Sequence, residues 1–199
     1  MKGLFISCEL FYEAGVHVLL IYKLLHMQRT KWVDRKFSFD IPEGWLQNVR
    51  ERLRGTELRL RALTHNLDDN KASFKPNSRW SIKENIGHLA DLEELHEGRI
   101  DDFIAGKKIL RAADMSNTKT NRAEHNNKPI VELINEFAFK RIIFISRLEN
   151  LDDDTQKFQS LHPRLQTMMK PVDMAFFTAE HDDHHLASIR EIINAEGIL

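Results

Sequence analysis

Four separate stretches of this chain, each about twenty residues long, repeat apolar side chains at alternating spacings of three and four, the pattern of a helix that buries one side. In the first, Leu46, Val49, Leu53, Thr56, Leu60 and Leu63 recur in this way. The second begins at Ser81, which makes a capping box with Glu84, and carries Ile82, Ile86, Leu89, Ile100, Phe103 and Ile104 on its buried arc. Pro129 suits the first turn of the third, where Ile130, Leu133, Ile134, Phe137, Arg141, Phe144, Ile145 and Leu148 share a face. The fourth starts at Pro171, and Met174, Thr178, His181, His185, Ser188, Ile189 and Ile192 line its inner side. Strand-like alternation is confined to residues 36–41. One-sided helices of this length close most economically as an all-α four-helix bundle. The connections over residues 106–128 and 155–169 are long enough for crossovers, so that some consecutive helices run parallel.

The 199 residues suffice for one domain with a substantial core, and no shift in composition divides them. Lys and Arg total 29 against 30 for Asp and Glu, which leaves no basic field for nucleic acid or anionic lipid. Residues 1–25 are apolar, but Glu9 and Glu13 break the run before it reaches the ~18 residues of a membrane span, and no cleavage site follows. Neither a membrane segment nor a signal peptide is expected there. An N-terminal helical extension over residues 1–31, ahead of a bundle domain over 32–199, fits better, with Met27 as an alternative start. The lone Cys8 excludes a disulfide framework and cysteine-based zinc sites, and a reducing, cytoplasmic setting is expected.

The chemistry points to histidine. His181 and His185 stand one turn apart on the side of the last helix that faces a core. Burying two imidazoles without partners costs a few kcal/mol, whereas a divalent ion accepts a lone pair from each. A third ligand must come from elsewhere, and His88 on the second helix is the candidate, although alone it would pass for a hydrogen-bonded histidine near a helix start. Glu93 and His96 fall within an apolar arc and are read as pocket or supporting residues, while His184 turns about 100° away from His185, to the flank. A zincin would need Glu where Asp182 stands. A helical phosphohydrolase built on a His-Asp pair would need a further metal-binding Asp on a later helix, and the chain ends too soon after Asp182.

These residues form a recognisable pattern. Trp80 and Ser81 lead to Gly87, His88, Leu89, Ala90, Asp91, Leu92 and Glu93, and Ala179, Glu180, His181, Asp182, Asp183, His184, His185, Leu186 and Ala187 follow near the C-terminus. Over residues 32–194 the chain resembles the DinB-like family of metal-binding helical bundles. The resemblance implies one divalent metal, zinc or nickel, held by His88, His181 and His185. It also implies a small-molecule substrate and a low-molecular-weight thiol as cosubstrate, because relatives include thiol-dependent transferases and an isomerase. Others are described as metal-dependent hydrolases, so hydrolysis is the alternative activity, and a metal that only clamps helices is the non-enzymatic one. A homodimer is the expected partner state, and residues 106–128 are the expected cover of the pocket. No residue identifies itself as a separate catalytic acid or base.

Overall fold

The computed structural model describes residues 29–195. The chain divides into two compact units, Met1–Phe37 and Ser38–Leu199. Most of the extension expected over residues 1–31 lies outside the described residues. Of the first unit, a short 3-10 turn spans Trp32–Asp34. The rings of Trp32 and Phe37 lie 5.2 Å apart, with the Arg35 guanidinium over both.

The second unit is all-helical at its centre, with α1 at Leu46–Thr64, α2 at Ile82–Ile104, α3 at Ile130–Glu149 and α4 at Pro171–Ala195. Each begins where local chemistry allows. At α2 the Ser81 hydroxyl accepts from the Glu84 N–H at 3.0 Å while the Glu84 carboxylate accepts from the Ser81 N–H at 2.9 Å, completing the expected capping box. Around the bundle α2 packs against α3 and α4, and α1 against the same two, so α1 and α2 occupy one diagonal and α3 and α4 the other. Of the consecutive pairs, α1 with α2 and α3 with α4 therefore lie across the diagonals, whereas α2 and α3 pack directly together. That placement needs long connections, and it puts α2 beside α4, the two helices that carry the histidines.

One end of the core is filled by Leu60, Ile82, Ile86, Leu89, Leu133, Phe137, Leu186, Ile189 and Ile192, all buried. Truncating a side chain as large and enclosed as Phe137 to Ala would cost about 3–5 kcal/mol. Through the middle the core is charged. Arg141 is buried, with Nη2 donating to Glu93 at 2.6 Å and Nη1 and Nη2 both donating to Asp182, which also accepts from the Thr56 hydroxyl at 2.8 Å. The network ties α1, α2, α3 and α4 together at one level.

Two sequence expectations need correction. Residues 36–41 form no strand among the described residues. In the second unit, the Ile41 N–H instead donates to Asp173 at 2.9 Å and Asp40 pairs with Lys170 at 3.1 Å, which fastens the segment to the start of α4. Conversely, the connection before α4 does contain strands, β1 at Ser160–His162 and β2 at Thr167–Met169, paired antiparallel. Three residues are too few for an alternation to show. The loop 106–128 holds two helical turns, Thr118–Arg122 and His125–Asn127. Further single-turn helices occupy Asp69–Ser73 and Asp153–Lys157.

Candidate metal centre

His88 from α2 and His181 and His185 from α4 meet where the two helices pack, and one ring nitrogen of each lies within 4.8 Å of the others. His181 Nε2 and His185 Nε2 are 3.2 Å apart, and the His88 ring centre is 5.4 Å from that of His181 and 4.8 Å from that of His185. His88 and His185 are buried, and His181 is half-buried. The structure thus brings together the three histidines singled out in the sequence.

The tautomers of His185 and His88 are fixed from behind. The Asn85 amide donates to the Ser81 carbonyl at 2.8 Å, which leaves its oxygen to accept from His185 Nδ1–H at 2.8 Å. The lone pair of His185 is therefore on Nε2. The Thr120 hydroxyl donates to Asp91 at 2.9 Å and so accepts from His88 Nδ1–H at 3.0 Å, placing the His88 lone pair on Nε2 as well. Asp91 also accepts from His125 Nε2 at 2.9 Å. Outer partners of this kind orient metal-binding imidazoles and raise their basicity. His125 reaches Asp91 because Gly87 lacks a side chain: a Cβ there would lie 2.3 Å from the imidazole. Trp80 closes one side, its ring 4.7 Å from His88 and stacked 6.1 Å from His185.

Electrostatics keep His88 and His181 neutral. Burial pushes the His88 imidazole down to about 4 against the opposing pull of Asp91. Burial, with repulsion from His88, sets His181 well below the ordinary histidine range. For Asp91 burial acts upward, but the hydrogen bonds from His125 and Thr120 hold the carboxyl below its usual value. The 3.2 Å between His181 Nε2 and His185 Nε2 suits two ligands of one ion with bonds of ~2.0–2.1 Å, and three imidazoles with no thiolate are a donor set for zinc or another borderline divalent ion. The residues fit such an ion.

Other residues singled out in the sequence take different places. Glu93 is fully buried as a partner of Arg141, and burial raises its carboxyl against the pull of that guanidinium. His96 is buried against the Phe144 ring, 3.5 Å from the Thr178 hydroxyl. The His184 ring stands perpendicular to His185 at 5.3 Å. Four contributors escaped the sequence reading: Asn85, Asp91, Thr120 and His125. Asp91 and Asn85 could have been found, since each lies three residues from His88 on the same helix. Thr120 and His125 come from the loop 106–128 and carry no local signal.

Fold and site together define a helical bundle with a three-histidine centre suited to a divalent metal. The chain belongs to the DinB superfamily, whose profile matches residues 52–189. Among solved structures it is similar to YfiT from Bacillus subtilis, described as a probable metal-dependent hydrolase with an unusual four-helix bundle topology. The two share 16% identity at a TM-score of 0.67, over 82% of this chain and 94% of that one. It is also similar to a mycothiol-dependent maleylpyruvate isomerase, with 10% identity and a TM-score of 0.59 over 75% of this chain. The chain spans 61% of that isomerase's length. No curated protein matches it in sequence. Among the described residues no helix is long and apolar enough to cross a membrane.

Proposed function

We propose that the protein is a metal-dependent enzyme in which His88, His181 and His185 hold one zinc or nickel ion and a small thiol is the nucleophile delivered to a small-molecule substrate. The observation that carries this reading is the convergence of three imidazole nitrogens with, among the described residues, no fourth protein ligand in the cluster. Structural sites are usually closed by four, whereas catalytic sites keep a position open. When bound, such an ion lowers the pKa of a coordinated thiol or water toward neutrality. The chain's own part is to hold the ligands ready. Asn85 keeps a proton on His185 Nδ1, Thr120 and Asp91 keep one on His88 Nδ1, and Trp80 excludes water from one side. The isomerase relative favours a thiol; YfiT, named a probable hydrolase, supports water as the second reading. The proposal places the enzyme in the cytoplasm and includes association with a second copy of the chain.

Metal analysis of protein purified without a histidine tag is the first test. Replacing His88, His181 or His185 with Ala should remove most of the metal, and His184→Ala should retain it. Full occupancy in His181→Ala would sink the ligand set. The loaded protein is then given an electrophile such as a haloaromatic, with and without bacillithiol, mycothiol, glutathione or coenzyme A. Thiol-dependent adduct formation that His185→Ala abolishes is expected. Equal turnover of an ester or amide without thiol would give the activity to hydrolysis, and no turnover at all would reduce the ion to a helix clamp.

A further inference from the structure

Where the β1–β2 hairpin meets α2 and α4, two guanidinium groups gather near a buried imidazole N–H that has no hydrogen-bond partner. Arg99, on α2 one turn beyond His96, is only 3% exposed, and its Nε donates to the Arg111 carbonyl at 3.3 Å. Among the described residues no carboxylate pairs with it. Asp102, one turn further along, is already saturated: it accepts from Lys107 Nζ at 2.7 Å, from the Arg111 N–H at 2.8 Å, and from Arg111 Nε and Nη2 at 3.0 Å each. His162, at the end of β1, is 2% exposed. Its Nδ1 accepts from the Leu165 N–H at 3.2 Å, so the proton sits on Nε2, and Nε2 is buried with no hydrogen-bond partner. Arg164, in the turn between β1 and β2, lies with its guanidinium 5.8 Å from the Phe177 ring centre and has no carboxylate partner among the described residues.

The fold brings them to one place. Leu110 and Leu161 exchange a hydrogen bond of 3.0 Å, and the Leu161 N–H reaches Lys108 at 2.8 Å, so residues 108–111 run alongside β1. That pairing sets the Arg111 carbonyl, where Arg99 is anchored, next to His162. The close approach of Arg111 to α2 requires Gly98, since a Cβ there would fall 1.9 Å from the guanidinium. On the other side the His162 ring meets Phe177 edge-on at 5.4 Å, the same ring that Arg164 covers. The charges of Arg99 and Arg164 both act on His162, that of Arg164 also reaches His181, and that of Arg99 reaches His96. Phe177, which both His162 and Arg164 meet, lies one turn before His181 on α4.

A buried donor left unmet, as His162 Nε2–H is, and like charges held together both cost free energy, and each cost is removed by one anion placed among them. Burial brings the Arg99 guanidinium down to about 10 against the pull of Asp102, with repulsion from Arg164 and Arg111 acting in the same direction as burial. We propose that Arg99, Arg164 and the His162 Nε2–H form a binding site for the oxyanion group, a carboxylate or phosphate, of a small substrate. Two guanidinium charges match a dianion, and planar forks of donors suit either group. That this anion belongs to the molecule transformed at the three histidines rests on the proposed function; the binding site itself does not.

The test is calorimetric titration of the full-length protein, as purified and after chelator treatment, with succinate, inorganic phosphate and neutral succinamide. Saturable binding of at least one anion is expected, in both metal states, with no response to succinamide; the tighter anion identifies the group. Arg164→Gln, a half-exposed position that leaves the core intact, should weaken binding at least tenfold without altering metal content or helical signal. Arg99→Gln should do the same where it folds. Binding equal in wild type and Arg164→Gln, or no anion binding at all, would overturn the inference. So would binding that vanishes with the metal and in His181→Ala but not in Arg164→Gln, because the anion would then sit on the ion. Protein that holds no metal yet binds anions through Arg164 would overturn the proposed function and leave this site standing.

Discussion

At the scale of single side chains, the feature that separates this centre from a chance cluster of histidines is the control of the proton on two of its three imidazoles. Asn85 fixes His185, and Thr120 with Asp91 fixes His88. Removing such a partner typically costs 10- to 100-fold in metal affinity. Asn85→Ala and Thr120→Val are therefore each expected to weaken zinc binding by about that factor, measured by competition against a chromophoric chelator, while His184→Ala stays near wild type. Unchanged affinity in both outer variants would show that the imidazoles need no support. The same scale explains why Asp182, adjacent to a ligand, is no general base. Its carboxylate accepts from Arg141 and from Thr56, both buried, and so belongs to the charged layer of the core. Taking away one member of such a layer leaves an uncompensated charge, whereas the intact layer holds four helices in register.

The helices were legible in the sequence because each repeats its apolar period over several turns, and the Ser81–Glu84 capping box marked the start of α2 to the residue. His181 and His185 were legible for the same reason, as polar groups on a face otherwise occupied by Met174, Ile189 and Ile192. What stayed hidden depends on tertiary placement. The β1–β2 hairpin has strands too short to alternate, and the route by which residues 106–128 carry Thr120 and His125 to α2 is set by packing. One element-scale signal was present but easily missed: Gly87, in the middle of a helix where glycine costs about 1 kcal/mol relative to Ala. Its cost is accepted because the loop must lie against α2 there. Gly87→Ala would place a Cβ against the His125 ring, and we expect it to displace the ring from Asp91 and destabilise the protein by about 1–3 kcal/mol, despite the better helix propensity. Urea unfolding checks the sign, and a stabilised variant would mean that the loop yields without cost.

Over the whole molecule, the histidines buried neutral make folding sensitive to acid in a defined window. His88 and His162 are each pushed down to about 4, chiefly by burial, and His96 and His181 lie well below their ordinary range for the same leading reason. Once unfolded, all four titrate near 6.5. A depressed histidine contributes stability that is complete above the unfolded pKa and is lost as pH falls toward the folded one, because only the unfolded chain takes up the proton. The depressed carboxylates Asp91 and Asp102 act chiefly below about pH 5, while Glu93, raised by burial, opposes the trend as one group against four. For metal-free protein the free energy of unfolding should therefore decline between pH 6.5 and 4, each histidine contributing up to about 1.4 kcal/mol per pH unit. His162→Asn isolates one of them, since its side-chain oxygen can still accept from the Leu165 N–H that His162 Nδ1 now meets. Denaturation at pH 6.5 and at pH 5 should show the variant losing about 1.6 kcal/mol less than wild type over that interval. Equal losses in the two proteins would show that His162 takes up its proton in the folded state as readily as in the unfolded chain.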